Sequence, residues 1–353
     1  MTTPEKVVRP EIQALKAYHV PPAAGLVKLD AMENPYGLPD ALRRELAGVL
    51  ARAELNRYPE PTPRRLIELI KRKTAVPEGM AVLLGNGSDE LLQNIAITVA
   101  KPGASVLYPT PTFVMYSMYA AFFSMKAVGV PLREDFSFDR EAFIARMRAE
   151  NPAVVFIAYP NNPTGVLYPE ADMEAVIRAA PGLVVMDEAY HAFALKSFMP
   201  RLAEFPNLVV VRTMSKLGLA GVRLGYMAGA PRWLEQFDKV RSPYNINVLT
   251  EAAAVFLLER MEVLEAQAAD IRREREVLGR ALTRLEGVTV YPSQANFFLV
   301  RVPDAARAWE RLRAQGVLVK QLHPGLANCL RITVGTPEEN RILLSALRES
   351  LQS

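Results

Sequence analysis

Residues 208–226 read LVVVRTMSKLGLAGVRLGY. The stretch begins with the apolar run 208–211, passes through a turn of small residues that carries Lys216, and leads into a second apolar run at 224–228. Continuous apolar runs without alternation are typical of strands that are covered on both faces of a sheet. This stretch therefore predicts a buried strand, a turn that holds a lysine, and a second strand.

Apolar runs of the same kind alternate with longer amphipathic stretches between residues 80 and 230. They span 81–84, 104–108, 125–130, 153–158, 183–186, 208–211 and 224–228. Alternation of buried strands with helices predicts an α/β fold with a mostly parallel sheet covered by helices. Ligands of such sheets bind beyond the carboxyl ends of the strands, so the residues that follow each run are candidates for a functional site.

The length of 353 residues suggests about two domains. We predict a large domain over residues 41–285. Residues 1–40 and 286–353 would form a smaller α+β domain with an N-terminal arm. The helical pattern over 249–285 is too long for one ordinary helix, and we expect a break near Gly279.

Composition and charge narrow the class of protein. Positive and negative residues are mixed, with a net charge of +4, and no basic run with interleaved aromatics points to nucleic acid. No apolar run is long enough to cross a bilayer, and the N-terminus lacks the apolar region of a signal peptide. Cys329 is the single cysteine, which fits a reducing cytoplasm. The spacing of His19, His191 and His323 suggests no metal site, and we expect packing or surface positions for them.

The segment LLGNGSDELL at 83–92 places glycines between an apolar run and a helical pattern. A glycine turn that feeds the N-terminus of a helix presents free backbone N–H groups, which suits a phosphate. The glycine spacing matches neither the dinucleotide fingerprint nor the ATP-binding loop. The alternative is a plain strand–turn–helix connection with Ser88 as the N-cap.

Asp187 directly follows the apolar run 183–186, and Lys216 lies in the small-residue turn after the run 208–211. A carboxylate at a buried strand end requires a cation or donor, so Asp187 is an N-cap, a salt-bridge partner, or the partner of a protonated heterocycle. Lys216 is a solvated surface residue or a pocket amine whose pKa a nearby cation, such as Arg223, would lower. A reactive lysine, an acid and a phosphate cup together are what pyridoxal 5'-phosphate requires.

The order NNPTG at 161–165, DEAY at 187–190 and SK at 215–216, with an arginine beyond, resembles that of the fold-type-I pyridoxal-phosphate-dependent aminotransferases over nearly the whole chain. Finer motifs resemble those of the histidinol-phosphate aminotransferase family. They are RPEIQALKAYH at 9–19, ENPYG at 33–37, NRYPEP at 56–61, GNGSDELL at 85–92, RTMSKLGLAGVRLGY at 212–226 and CLRITVGTPEEN at 329–340.

The resemblance implies a role for each matching residue around the cofactor ring. Lys216 would hold the cofactor as a Schiff base and later move a proton between the substrate's α-carbon and the cofactor. Asp187 would pair with the pyridine nitrogen. Asn162 and Tyr190 would donate hydrogen bonds to the ring oxygen, and Phe113 would stack on the ring.

The resemblance also implies how the cofactor phosphate is held. The residues that would hold it are Ser88, Asp89, Thr213, Ser215 and Arg223. The spacing between Lys216 and Arg223 is one residue shorter than in many relatives, so the turn between them must be tighter. Tyr58 would reach the phosphate in the neighbouring subunit, which makes a homodimer with shared active sites part of the expectation.

On the substrate side, the resemblance implies that Arg331 clasps an anion. That anion would be a carboxylate of the amino-acid partner or the phosphate of histidinol phosphate. Lys320 stands where the family often has a second arginine. Tyr18 and Asn34 would line the substrate site, with a structural alternative in which Asn34 caps the ENPYG turn.

The implied reaction is a ping-pong transamination between histidinol phosphate and 2-oxoglutarate, which yields imidazole-acetol phosphate and glutamate in L-histidine biosynthesis. Two alternatives use the same scaffold: an aromatic amino-acid aminotransferase and a phosphothreonine decarboxylase. A third is a non-catalytic cofactor-binding regulator, which would need a DNA-binding module larger than the residues before position 41.

Overall fold

The computed structural model describes residues 2–17, 20–322 and 326–352. In chain order the strands are β1 (Val27–Leu29), β2 (Ala81–Gly85), β3 (Ser105–Thr110), β4 (Lys126–Pro131), β5 (Val154–Ala158), β6 (Leu183–Asp187), β7 (Leu208–Thr213), β8 (Gly225–Gly229), β9 (Thr289–Val290), β10 (Phe297–Arg301), β11 (Val317–Gln321) and β12 (Cys329–Thr333).

The α-helices are α1 (Pro4–Val7), α2 (Pro10–Gln13), α3 (Asp40–Leu50), α4 (Arg64–Lys73), α5 (Ser88–Val99), α6 (Met115–Phe122), α7 (Arg140–Glu150), α8 (Glu170–Ala179), α9 (His191–Ala194), α10 (Pro231–Asp238), α11 (Val248–Leu258), α12 (Met261–Leu282), α13 (Ala305–Ala314) and α14 (Pro337–Leu351). Tight turns of 3₁₀ type lie at Met199–Glu204 and Ala220–Val222, and a turn of π type lies at Ser215–Leu219.

The large sheet contains every apolar run that the sequence marked as a strand, in the order β2-β8-β7-β6-β5-β3-β4. The neighbouring strands from β7 to β4 run parallel, whereas β8 is antiparallel to both of its neighbours. The predicted α/β fold with a mostly parallel sheet is confirmed.

The apolar runs lack alternation because both faces of the sheet are covered. In β5, Val155 and Ile157 pack into one hydrophobic core, while Val154 and Phe156 pack into a second core on the other face. Every residue of β5, β6 and β7 is buried. The central strands are therefore held firmly, and the residues that follow them start from fixed positions.

The small sheet has the order β1-β11-β12-β10-β9. Strand β1 pairs with β11 in parallel, with Val27 opposite Val317. This pairing joins a segment near the N-terminus to the C-terminal part of the chain. The proposed division into residues 41–285 on one side and 1–40 with 286–353 on the other stays a prediction.

The helical stretch after residue 248 breaks at Glu259 and Arg260, between α11 and α12. The expected break near Gly279 is wrong, since this glycine lies inside α12. A Cβ atom there would lie 2.9 Å from the ring of Phe298, so the glycine admits an aromatic ring rather than ending the helix. In the described part of the chain, no helix has the length and apolarity to cross a membrane.

Candidate active site

A cavity of about 560 Å³ lies beyond the carboxyl ends of the parallel strands of the large sheet. Segments that follow β2, β3, β5, β6 and β7 line it, together with residues of the small sheet and the segment after β1. The lining residues predicted from the sequence are Ser88, Asp89, Phe113, Asn162, Asp187, Tyr190, Thr213, Ser215, Lys216, Arg223, Lys320 and Arg331. The fold therefore brings residues from distant parts of the chain to one place.

Lys216 lies in the π-type turn that directly follows β7. Its amine donates a hydrogen bond to the carbonyl oxygen of Ala31 at 2.8 Å. Burial, followed by the positive charge of Arg331, lowers the pKa of Lys216 to about 8. The sequence pointed to Arg223 as the nearby cation, but the cations that lower this pKa are Arg331 and, to a smaller extent, Lys28.

Asp187 ends β6 and is 4% exposed. Its carboxyl group accepts hydrogen bonds from the Tyr116 hydroxyl at 2.8 Å and from the Ala189 backbone amide at 3.2 Å. Burial raises the pKa of Asp187 to about 7, against the lowering effect of the Tyr116 hydrogen bond. These donors are neutral, so a protonated heterocycle nitrogen would supply the positive partner that a buried carboxylate requires.

The N-terminus of α5 provides one side of an anion site. Gly87, with φ of 88°, occupies the N-cap, and α5 begins at Ser88. The alternative with Ser88 as the N-cap is therefore wrong. The first N–H groups of the helix point out of its end and favour a bound anion.

The other side of this anion site consists of hydroxyl and guanidinium groups. The Arg223 guanidinium donates to the Ser215 hydroxyl oxygen at 3.2 Å, and the Thr213 hydroxyl donates to the same oxygen at 3.0 Å. A Cβ atom on Gly87 would lie 2.7 Å from Arg223 Nη2, so the guanidinium lies directly against the glycine turn. The chain reaches Arg223 from Lys216 through the Ala220–Val222 turn and a left-handed Arg223, with φ of 55°.

Arg331 and Lys320 bring positive charge from the small sheet. Arg331 donates to the side-chain oxygen of Asn162 at 2.6 Å and to the carbonyl oxygen of Asp30 at 2.9 Å. Lys320 lies opposite Arg331 in the pairing of β11 with β12. These paired positions make a second cationic region, which comes from a different sheet from the site around Arg223.

Aromatic side chains frame the cavity. Phe113 contacts Tyr116 edge to face, with ring centroids 5.6 Å apart. The Tyr190 hydroxyl donates to the sulfur of Met32 at 3.4 Å, and its ring meets Phe297 edge to face at 5.1 Å. Phe113 thus offers a ring face to a planar ligand, and Tyr190 a hydroxyl.

Asn34 is not among the residues that line the cavity, and the expectation that it lines the substrate site stays a prediction. Its oxygen accepts from the Tyr36 backbone amide at 2.9 Å, and its nitrogen donates to the Leu217 carbonyl at 3.1 Å. The same nitrogen would lie 2.8 Å from a Cβ atom on Gly218. Asn34 therefore caps the ENPYG turn, as the structural alternative held, and also supports the turn that carries Lys216.

Tyr58 lies away from the cavity of its own chain. It is 81% exposed and stacks on Tyr244, with ring centroids 4.6 Å apart. Tyr18, His19 and His323 lie outside the described residues. The expectation that Tyr18 lines the substrate site stays a prediction.

The sequence did not single out Tyr116 or the carbonyl groups of Asp30 and Ala31. Tyr116 follows Phe113 by three residues, and α6 begins between them at Met115, so their spacing alone did not predict the contact. Backbone carbonyls carry no residue-type signal. Among the described residues, no group of three or more His, Cys, Asp or Glu is placed to hold a metal ion.

The arrangement fits pyridoxal phosphate by the chemistry of its donors. A buried amine with a lowered pKa can attack an aldehyde, a carboxyl group with neutral donors can pair with a pyridinium, and the site around Arg223 can hold a phosphate. The described residues of the cavity therefore supply an amine, an acid and an anion site that suit this cofactor.

Comparisons with known proteins agree with this chemistry. The profile of the family described as "Aminotransferase class I and II" matches residues 24–347. Histidinol-phosphate aminotransferase 2 of Cupriavidus pinatubonensis is 57% identical, over 99% of this chain and 97% of that protein. Histidinol-phosphate aminotransferase 1 of Ralstonia nicotianae is 58% identical, over 98% of this chain and 95% of that protein.

Among solved structures, the chain is similar to the histidinol-phosphate aminotransferase from Sinorhizobium meliloti in complex with pyridoxal 5'-phosphate. The two are 28% identical with a TM-score of 0.86, and the match covers 98% of this chain and 97% of the other.

Proposed function

The chain belongs to the class I and II aminotransferases, and we propose that it transfers the amino group of histidinol phosphate to 2-oxoglutarate with pyridoxal 5'-phosphate as cofactor. The products are imidazole-acetol phosphate and glutamate, a step of L-histidine biosynthesis. The observation that carries the proposal is the cavity in which Lys216, Asp187 and Arg331 meet. The names of the relatives at 57 and 58% identity support the choice of substrate.

When bound, pyridoxal phosphate supplies an aldehyde that takes up an amino group and a ring that accepts electrons from the substrate's α-carbon. Asp187 would hold the pyridine nitrogen in its protonated form. Asn162 and Tyr190 would donate to the ring oxygen, since the Asn162 oxygen already accepts from Arg331 and leaves its amide N–H groups as donors. Phe113 would stack on the ring.

The cofactor phosphate would lie between the N-terminus of α5 and Arg223. The site's side-chain groups are the Thr213 and Ser215 hydroxyls and the Arg223 guanidinium, and the first backbone amides of α5 belong to Ser88 and Asp89. This set orients the cofactor because charge-assisted hydrogen bonds fix both distance and direction.

Lys216 has two tasks in this proposal. It attaches the cofactor, and as a free amine it moves a proton between the substrate's α-carbon and the cofactor. The pKa of about 8 suits the second task, since a group whose pKa lies near the working pH both accepts and returns a proton.

Attachment can be tested by borohydride reduction of the purified holoenzyme followed by peptide mass mapping. We expect a pyridoxyl group on Lys216 and no cofactor on a Lys216→Ala variant treated in the same way. A pyridoxyl group on another lysine of the unsubstituted protein would overturn the assignment.

The substrate phosphate would meet Arg331, with Lys320 beside it. A planar guanidinium forms a bidentate pair with phosphate, which neither phenylalanine nor tyrosine offers. An aromatic amino-acid aminotransferase and a phosphothreonine decarboxylase are less well supported, because the relatives at 57 and 58% identity carry neither name. The non-catalytic regulator is not supported, since these relatives are enzymes.

The decisive experiment is a substrate panel at equal enzyme concentration. We expect histidinol phosphate to exceed phenylalanine and tyrosine in kcat/KM with 2-oxoglutarate as acceptor, and O-phosphothreonine to release no CO₂. Higher kcat/KM with an aromatic amino acid would overturn the substrate assignment. Release of CO₂ would overturn transamination.

Substitution of Arg331 tests the binding of the substrate phosphate. We expect Arg331→Met to raise the KM for histidinol phosphate by about tenfold to a hundredfold, the loss of one charged hydrogen-bonded pair. Arg331→Lys keeps the positive charge and loses the bidentate geometry, so its KM for histidinol phosphate should lie between those of the unsubstituted enzyme and Arg331→Met. An unchanged KM for histidinol phosphate in Arg331→Met would contradict a phosphate role for Arg331.

We further propose that the enzyme is a cytoplasmic homodimer in which Tyr58 reaches the cofactor phosphate of the other subunit. The high exposure of Tyr58 and its distance from its own cavity lining support this role. The single cysteine supports a reducing compartment.

A further inference from the structure

Asp187 accepts a hydrogen bond from Tyr116, a side chain without a role in the proposed reaction. Tyr116 lies in α6 and is fully buried. Its hydroxyl donates to Asp187 Oδ2 at 2.8 Å, while the Ala189 amide donates to the other carboxyl oxygen. Each oxygen thus has one neutral protein donor, and lone pairs remain on both for a ligand N–H.

The Tyr116 ring is held on two sides. It stacks on Phe156, with centroids 5.0 Å apart and planes at 10°, and it meets Phe113 edge to face at 87°. These contacts fix the direction of the hydroxyl, so the bond to Asp187 is set by packing rather than by a free rotation of the side chain.

Hydrogen-bond donors favour a carboxylate over a protonated carboxyl group, and burial disfavours it. Burial raises the pKa of Asp187, the Tyr116 hydrogen bond lowers it, and the charges of Asp89 and Glu188 raise it. Lys216 lines the same cavity. The other titratable groups that act on Tyr116 itself are Tyr168 and Tyr190.

We infer that Tyr116 is a positioning residue that keeps Asp187 ionised and aimed at the pyridine nitrogen of the cofactor; this rests on the proposed function. The side chain acts through Asp187 and does not contact the reacting atoms. Loss of the Tyr116 hydroxyl should therefore shift the proton from the pyridine nitrogen toward Asp187. Substrate binding should change less.

The substitution Tyr116→Phe removes the hydroxyl and keeps the ring between Phe156 and Phe113. A matched control is Tyr168→Phe, because Tyr168 is fully buried and its hydroxyl has no hydrogen-bond partner among the described residues. Both variants lose one buried hydroxyl, but only one loses a donor to Asp187.

Two measurements on the holoenzyme do not depend on turnover. The first is the dissociation constant of pyridoxal phosphate as a function of pH. The second is the ¹⁵N chemical shift of the pyridine nitrogen in enzyme loaded with ¹⁵N-labelled cofactor. For Tyr116→Phe we expect the affinity for pyridoxal phosphate to be about tenfold weaker at pH 7. The acid limb of the pH profile, where affinity falls as pH falls, should move up by about one pH unit, the effect of one hydrogen bond to a charged group. The ¹⁵N signal should move toward that of unprotonated pyridine.

The control decides the interpretation. Tyr168→Phe should leave the acid limb and the ¹⁵N signal in place. An unchanged limb and signal in Tyr116→Phe, or equal changes in the two variants, would overturn the inference and leave the proposed function standing. Failure of the unsubstituted chain to bind pyridoxal phosphate would overturn both.

A second variant covers the case in which Tyr116→Phe does not fold. Fluorotyrosine placed at position 116 keeps the hydroxyl and makes it a stronger acid and donor. The acid limb should then move to lower pH, opposite to the effect of phenylalanine. A shift to higher pH, or none, would count against the inference.

Discussion

At the scale of single residues, two consecutive carbonyl groups organise the cations of the cavity. Ala31 accepts from the amine of Lys216, and Asp30 accepts from the guanidinium of Arg331. Arg331 therefore lies near enough for its charge to lower the pKa of Lys216. A residue that would bind the substrate thus also adjusts the nucleophile.

This coupling predicts the pH dependence of cofactor attachment. The neutral amine is the nucleophile, so the rate at which the ligand-free protein takes up pyridoxal phosphate should rise with pH, with a midpoint near the Lys216 pKa of about 8. Arg331→Met removes a positive charge and raises that pKa. Uptake at pH 7 should then slow by roughly threefold to tenfold, which corresponds to half to one pH unit.

Stopped-flow absorbance of cofactor uptake between pH 6 and 10 provides the measurement. Arg301→Met is the control, because Arg301 is an exposed arginine at the end of β10, in the same sheet. If the midpoint of Arg331→Met equals that of Arg301→Met, Arg331 does not set the pKa of Lys216.

At the scale of elements, a buried ion pair joins the carboxyl ends of β6 and β7. Glu188, directly after Asp187, accepts from the Arg212 Nε at 2.9 Å and lies 2.9 Å from its Nη2. Arg212 in turn directly precedes Thr213. The ion pair therefore fixes the position of the Asp187 carboxyl group relative to the Thr213 hydroxyl of the phosphate site.

Removal of the cation alone should be costly. Arg212→Met leaves Glu188 buried without its cation and should lower the free energy of unfolding by about 3–5 kcal/mol. The double variant Arg212→Met/Glu188→Leu should lose less free energy of unfolding than Arg212→Met, because it leaves no buried charge without a partner. Denaturant unfolding measures both.

A matched exposed pair provides the reference. Arg341 and Glu338 pair within α14 on the surface, so Arg341→Met should leave the free energy of unfolding nearly unchanged. A loss in Arg212→Met no larger than that in Arg341→Met would show that the buried pair does not hold the strand ends.

The glycine turn between β2 and α5 also depends on a neighbouring element. A Cβ atom on Gly225 of β8 would lie 2.5 Å from the backbone carbon of Gly87 and 2.5 Å from the backbone nitrogen of Ser88. Gly225→Ala must therefore displace the phosphate-binding turn. We expect a loss of about 1–3 kcal/mol in stability and weaker binding of pyridoxal phosphate by about tenfold or more.

Gly48→Ala serves as the control for a glycine replacement. Gly48 lies within α3, and the nearest atom to its added Cβ is 4.0 Å away. Alanine should stabilise this helix by up to about 1 kcal/mol. Cofactor affinity should not change. Unchanged cofactor affinity in Gly225→Ala would mean that the turn tolerates the displacement.

At the scale of the whole molecule, the cavity joins both sheets and both ends of the chain. The large sheet supplies the nucleophile, the acid and the phosphate site, and the small sheet supplies Arg331 and Lys320. Strand β1 pairs with β11 and so carries the carbonyls of Asp30 and Ala31 to the same place. The proposed dimer adds Tyr58 from outside.

Mixed dimers can test that addition. Tyr58→Ala should weaken cofactor binding by about tenfold, the loss of one hydrogen bond to a charged group, and Lys216→Ala should abolish transamination. In a dimer of one chain of each kind, the site with Lys216 receives Tyr58 from its partner and should recover the cofactor affinity and activity of one unsubstituted site. Affinity that stays at the level of Tyr58→Ala would show that Tyr58 serves its own chain or none.

The sequence by itself determined the central sheet and the location of its chemistry. Continuous apolar runs are typical of strands in a sheet covered on both faces. Asp187 directly follows one such run, and Lys216 lies in the turn after another. Because Asp187 and Lys216 come after their apolar runs in the sequence, they lie at the carboxyl ends of the strands. Their placement in one cavity follows from parallel strands whose carboxyl ends share an edge.

The tertiary structure alone decided which groups act on these residues. Tyr116 and Asp187 are 71 residues apart, and Lys216 and Ala31 are 185 apart. Neighbours from other elements likewise determine three further features. They are the cation beside Lys216, the place of Asn34 outside the cavity and the helix break at Glu259. Such contacts form through space between distant segments, so no local pattern of residues records them, and packing sets them once the sheets are in place.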